Sequence, residues 1–384
     1  MIAKCTSINP EILKWARESA GYSLDHICAN MPKYADWELG EDFPTYSQLE
    51  HIASKFKRPL AIFFFPEVPK EISSQKSFRT IPEYEFDNIP PTIKFFFRKG
   101  LSMQNNLKEL NNFKNTEYSN FIEQLDLTNK FSNTLIEKIR LLLGISIDEQ
   151  FKINNRDEMF EAWRNAFANI GIYVFKEAFK DNNVSGFCLY DEMYPIIFIN
   201  NTTAKNRQIF TLFHELAHLI LRGNHIDLLN RDYVDDLPND TKDIEIMCNK
   251  FAGDFLVPYR ILLDIIKGKT INETFIEQLA DKFSVSQEVI ARKLLDKRKI
   301  SERLYVEISS KSKEYIFRTA SNGGGNYYYN QIAYLGKRYL GLILEKYNAR
   351  IISFDQAVQY AGINATKFTQ LENCYSRIVY GGAL

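Results

Sequence analysis

The stretch Phe210–Leu221, FTLFHELAHLIL, constrains this chain more than any other. It is apolar apart from Thr211, His214, Glu215 and His218, so it reads as a helix bound for a core. Residues four apart on a helix share a face, so the imidazoles of His214 and His218 can point to one place. Glu215 is rotated by about 100° and reaches the same zone from the side. Burying three such groups without partners would cost roughly 2–7 kcal/mol each. The H-E-x-x-H spacing supplies a partner, because it presents two nitrogen ligands for Zn²⁺ and a carboxylate that can take a proton from water.

A catalytic zinc needs a third protein ligand and an open fourth position. His225 follows too closely, just beyond Gly223, where the helix is expected to stop. Glu245, in DIEIMCNKFAGDFLVP, is the only glutamate between Glu215 and Glu273 and sits on the next helical segment. It is the expected third ligand, with Asp240 and Asp243 as rivals. Asn249 stands four residues on, where its amide could accept the second N–H of a ligating imidazole and fix the tautomer. The expected content is one Zn²⁺ per chain.

The remainder of the 384 residues must supply two to four domains. With 45% hydrophobic and 14% aromatic residues, sizeable cores are expected and global disorder is not. Lys plus Arg and Asp plus Glu both number 48, so the chain as a whole lacks the basic excess of a nucleic-acid binder. The five cysteines are scattered, without a CxxC pair, which fits reduced thiols and a cytoplasmic location. No apolar run is long enough to span a membrane. GIYVFKEAF, VSGFCLY and PIIFIN read as strands, the last two joined as a hairpin through DEMY. Nearly everything else has helical periodicity, with ASNGGGN at 320–326 as a flexible break. In FIEQLADKFSVSQEVIARKLLDKRKIS, the apolar positions read as a helical pair that buttresses the zinc domain, in preference to a second helix-turn-helix. The segments expected are 1–66, short helices; 67–158, a helical linker region; 159–300, the zinc unit; and 301–384, a helical C-terminal region for regulation or substrate recognition.

RQIFTLFHELAHLIL followed by EIMCNKFAGDFLVP resembles the ImmA/IrrE family of zinc metallo-endopeptidases, whose members pair a HELGH-type helix with a downstream ExxANxFA segment. Here Cys248 stands where Ala is usual. The preceding VSGFCLYDEMYPIIFINN is similar to the family's strand pair. The resemblance covers about residues 160–300. It implies an α+β, mainly helical fold: a zincin-like metallopeptidase domain, a small sheet plus the HExxH helix, flanked by helical domains. It also implies His214, His218 and Glu245 as ligands and Glu215 as catalytic base. Family members cut helix-turn-helix repressors of mobile elements or stress regulons, so a protein substrate of that kind is expected.

Residues 1–66 resemble an XRE-type helix-turn-helix with a shortened turn. Fourteen positions separate Ser23 from Trp37, fewer than usual, and Pro32 falls where the recognition helix should begin. Seven Lys/Arg stand against eight Asp/Glu there, so docking or homodimerisation is expected in preference to DNA binding. The strand around Val184–Tyr190 is expected to pair with an extended substrate, and Arg207 and Tyr190 are candidates for contacting substrate or transition state. The alternative to a peptidase is a non-proteolytic transcriptional regulator, antitoxin-like, of a mobile-element or toxin–antitoxin locus.

Overall fold

The apolar runs form the expected strands in the computed structural model, which describes residues 4–56, 58–69, 90–128, 131–179, 181, 183–222, 225–228, 239–314 and 325–381. They are β1 (Tyr173–Glu177), β2 (Val184–Leu189) and β3 (Ile196–Asn200). β1 runs parallel to β3, and β2 antiparallel to β3 with Leu189 opposite Ile196. The hairpin is held by Asp191, whose Oδ1 accepts from the N–H groups of Met193 (2.9 Å) and Tyr194 (2.8 Å). This side-chain turn is why DEMY reverses the chain. Every residue of β2 and β3 is buried, which matches runs without polar alternation.

A fourth strand, β4 (His225–Leu228), pairs antiparallel with β2, giving the order β1-β3-β2-β4. This corrects one expectation. β2 is flanked on both sides, so it offers no edge to a substrate; β4 is the outer strand. Four residues, HIDL, carry too little pattern to mark a strand.

The chain divides into two units, Met1–Lys99 and Gly100–Leu384. The first contains α1 (Pro10–Ser19), α2 (Leu24–Cys28), α3 (Tyr34–Leu39), α4 (Tyr46–Phe56) and a 3₁₀ turn, Leu60–Phe64. Their amphipathic faces close a small core around Ile12, Leu13, Tyr34, Trp37, Ile52 and Phe56. Within it Arg17 grips both oxygens of Glu38. α2 has only five residues and α3 six, with Tyr34 and Trp37 turned inward.

The second unit is built around the sheet. α5 (Pro91–Leu110) begins before the division. It is followed by α6 (Thr116–Glu123), α7 (Asn133–Leu143), α8 (Ile147–Lys152), α9 (Arg156–Asn169) and, after the strands, α10 (Lys205–Ile220). Next come α11 (Asn239–Leu256), α12 (Tyr259–Ile266), α13 (Glu273–Phe283), α14 (Gln287–Asp296) and α15 (Glu302–Glu314). The tail holds α16 (Tyr327–Leu335), α17 (Lys337–Asn348), α18 (Phe354–Ala361) and α19 (Ala365–Tyr380).

The helices of 116–152 are not a linker. Tyr118, Phe121, Leu135 and Ile139 share one core with Trp163, Phe213 and Phe255. Two polar side chains seal the join. Gln150, fully buried, donates to the carbonyls of Leu256 (3.1 Å) and Phe283 (2.9 Å), and Arg140 donates to Phe255 O. Carbonyls at helix C-termini lack partners within the helix, so these bonds satisfy groups that burial would otherwise penalise. The helical pair α13–α14 packs into this core through Leu279, Phe283, Ile290 and Leu294. The tail is tied in as well. Buried Arg164 donates to Val174 O at 2.8 Å, Ala333 O at 2.6 Å and Tyr334 O at 2.9 Å, joining α9, β1 and α16.

Candidate metal centre

α10 lies on β2, and the approach depends on a glycine. A Cβ at Gly186 would stand 2.6 Å from Thr211 Cγ2 and 2.8 Å from Phe198 O. Glycine inside a strand commonly marks such a close approach. The helix ends earlier than its sequence suggests. Ile220 is its last residue, and Arg222, not glycine, takes the left-handed conformation at φ 60°. Gly223 lies outside the described residues.

The face of α10 turned to α11 carries His214 (1% exposed), His218 (4%) and, beside them, Glu215 (0%), with Glu245 (8%) projecting from α11. Their donor atoms form a triangle. His214 Nε2 and His218 Nε2 are 3.1 Å apart, and Glu245 reaches His214 Nε2 with Oε2 at 3.4 Å and His218 Nε2 with Oε1 at 3.3 Å. Tetrahedral zinc, with metal–ligand bonds of about 2.0–2.2 Å, separates its donors by about 3.3–3.6 Å. The triangle, at 3.1–3.4 Å, comes within about 0.2 Å of that spacing, and its donors are of the kinds zinc takes. Among the described residues, it is the one group of three or more His, Cys, Asp or Glu side chains able to hold a metal.

Of the rival ligands, Asp243 is exposed, and the side chains of Asp240 and His225 lie outside the described residues. Asn249 is exposed to solvent, so it does not supply the outer hydrogen bond expected of it. The residue that follows Glu245 inward is Cys248, three positions on and fully buried. Its thiol is held well above the ordinary range by burial, and further by the carboxylates of Glu245 and Glu215.

Arg207 and Tyr190 are not part of the triangle. Arg207 lies two turns before His214, about 10 Å along the helix, and its Nε donates to Ser185 Oγ at 3.0 Å. That bond pins the start of α10 to the start of β2. Tyr190 follows β2 at the other end, half-buried, its phenol held above the usual range by desolvation.

Residues 167–295 match the family of IrrE N-terminal-like domains in the peptidase group M78. These residues form an IrrE-like domain of the ImmA/IrrE family. Over 79 residues the chain is 37% identical to the radiation response metalloprotease IrrE of Deinococcus deserti, covering 20% of this chain and 27% of that protein. Over 99 residues it is 31% identical to the protein of the same name from Deinococcus radiodurans, covering 25% and 30%. The chain thus spans under a third of the length of either relative. No solved structure matches it. The ImmA/IrrE domain contains all four residues of the centre, and α6 to α8, which share its core, precede it.

Proposed function

We propose that this chain is a zinc endopeptidase that cuts one regulatory protein, a helix-turn-helix repressor of a mobile-element, stress or defence locus. The observation that carries the reading is the His214–His218–Glu245 triangle with buried Glu215 beside it. His214, His218 and Glu245 would hold a divalent metal, which when bound would supply the Lewis acid that acidifies water and polarises a carbonyl. Glu215 has the position of a general base: one residue after a ligand, shielded from bulk water, with no donor role in the triangle. It takes the proton of the attacking water and returns it to the leaving amine. His214 and His218 are fixed by the helix, so their relative geometry needs no ordering when substrate arrives.

Strand addition supports an extended protein substrate. β4 ends the sheet among the described residues and can accept a further antiparallel backbone, with side-chain pockets setting specificity. Against a DNA-binding regulator stand the five-residue α2, the six-residue α3 and its inward-facing aromatics, which leave little helix for a major groove. No described helix is long and apolar enough to cross a membrane.

The test is direct. The full chain, loaded with zinc, is incubated with the helix-turn-helix regulator encoded nearest its gene. Discrete fragments are expected with the wild type and none with Glu215→Gln. An intact regulator, or equal cutting by the variant, would sink the proposal.

A further inference from the structure

We propose that a cavity between the tail helices and the sheet binds a nucleoside monophosphate. The cavity holds about 540 Å³, within the range of about 300–1,000 Å³ typical of small-molecule sites. It lies wholly within the second unit and away from the metal centre. Its lining includes Glu117, Tyr173, Tyr194, Lys337, Arg338 and Tyr375, and farther along α17 and α19 also Glu345, Lys346 and Glu372.

Each wall brings a different chemistry. Tyr173 opens β1 and Tyr194 closes the hairpin, their rings 6.3 Å apart and inclined at 49°. Tyr375 reaches over from α19, its hydroxyl donating to Lys337 O at 3.1 Å. It can lie there because residue 341 is glycine, where a Cβ would stand 2.3 Å from that hydroxyl. Lys337 and Arg338 are exposed on the first turn of α17, and Glu117 is exposed on the first turn of α6. Among the described residues none of these three charges has an ion-pair partner. The Tyr173 phenol is held above its usual range by burial, with Arg338 opposing and Glu117 adding to the shift.

Adjacent cations, a set of phenol rings and an opposed carboxylate select a ligand with three matching parts. A phosphate answers Lys337 and Arg338. A planar base lies against the tyrosines. An amino group or ring N–H of that base donates to Glu117. Adenine and guanine nucleotides have all three parts; inorganic phosphate has only the first, and a nucleoside lacks it.

Thermal unfolding of the full chain with AMP, GMP, adenosine, guanosine and inorganic phosphate separates these cases. AMP or GMP at a hundredfold excess over its Kd should raise Tm by about 3–5 °C, while the nucleosides and phosphate leave it unchanged. Arg338→Ala should weaken the nucleotide about tenfold. Ser376→Trp, which fills the cavity from α19 without touching these charges, should abolish the shift. The proposal is overturned if neither nucleotide shifts Tm at millimolar concentration. It is also overturned if phosphate alone gives the same shift, or if Arg338→Ala responds as the wild type does. The readout is binding, so it stands or falls independently of proteolysis.

Discussion

Two buried polar clusters in this chain solve the same problem in opposite ways. In the N-terminal unit, Arg17 donates to both oxygens of Glu38, at 2.7 and 3.0 Å, and to Tyr22 O at 2.9 Å. Both side chains are 8% exposed, and their charges cancel within the protein. At the metal centre His214, His218 and Glu245 are just as deeply buried, but what converges there is lone pairs rather than a donor and an acceptor. A guanidinium can only donate, so its pairing with a carboxylate is closed. Two imidazole nitrogens and a carboxylate at 3.1–3.4 Å form a set that a cation completes. Burial of polar residues alone does not mark a site. The chemistry of the converging atoms does.

The contrast can be broken or sharpened by substitution, and the largest effect belongs to the metal centre. Glu215→Gln should lower turnover by about 10²–10⁴-fold while zinc content stays at the wild-type level, since the amide cannot accept the proton. Turnover of the cognate regulator, set beside elemental analysis, checks both halves. Next comes the closed pair. Arg17→Ala leaves Glu38 buried without its partner and should cost about 3–5 kcal/mol, whereas Arg17→Met with Glu38→Leu should be close to neutral. Urea unfolding of the full chain measures the difference; if the single and double variants lose the same stability, the pair is not closed as described. Gly186→Ala is smaller still. Its new Cβ meets a backbone carbonyl and Thr211, so a loss of about 1–3 kcal/mol is expected, and wild-type stability would show that α10 can retreat from β2. The smallest effect is at Asn249, where replacement by alanine should change stability by under about 0.5 kcal/mol and leave zinc content untouched.

The sequence made the centre legible because its residues carry their own geometry. His214 and His218 are locked four apart on one helix, and Glu245 had no competing glutamate for dozens of residues. The hairpin was legible through its two apolar runs and the Asp in its turn. What escaped was decided by partners distant in the chain. Gln150 and Arg140 look like surface residues until the ends of α11 and α13 arrive above them. The helices of 116–152 are amphipathic, but an amphipathic face does not announce what it packs on, so a part of the core passed for a linker. Asn249 failed because the spacing on α11 alone does not say which side of Glu245 the helix buries: Asn249 is exposed while Cys248, three residues on, is buried.

The central claim is that three side chains from two helices hold one divalent ion. Elemental analysis of the purified full chain tests it most directly, comparing the wild type with His214→Ala, His218→Ala, Glu245→Ala and Asp243→Ala. About one zinc per chain is expected for the wild type and for Asp243→Ala, and none at stoichiometric level for the other three. Unchanged zinc in both histidine variants, or loss in Asp243→Ala with retention in Glu245→Ala, would contradict the account.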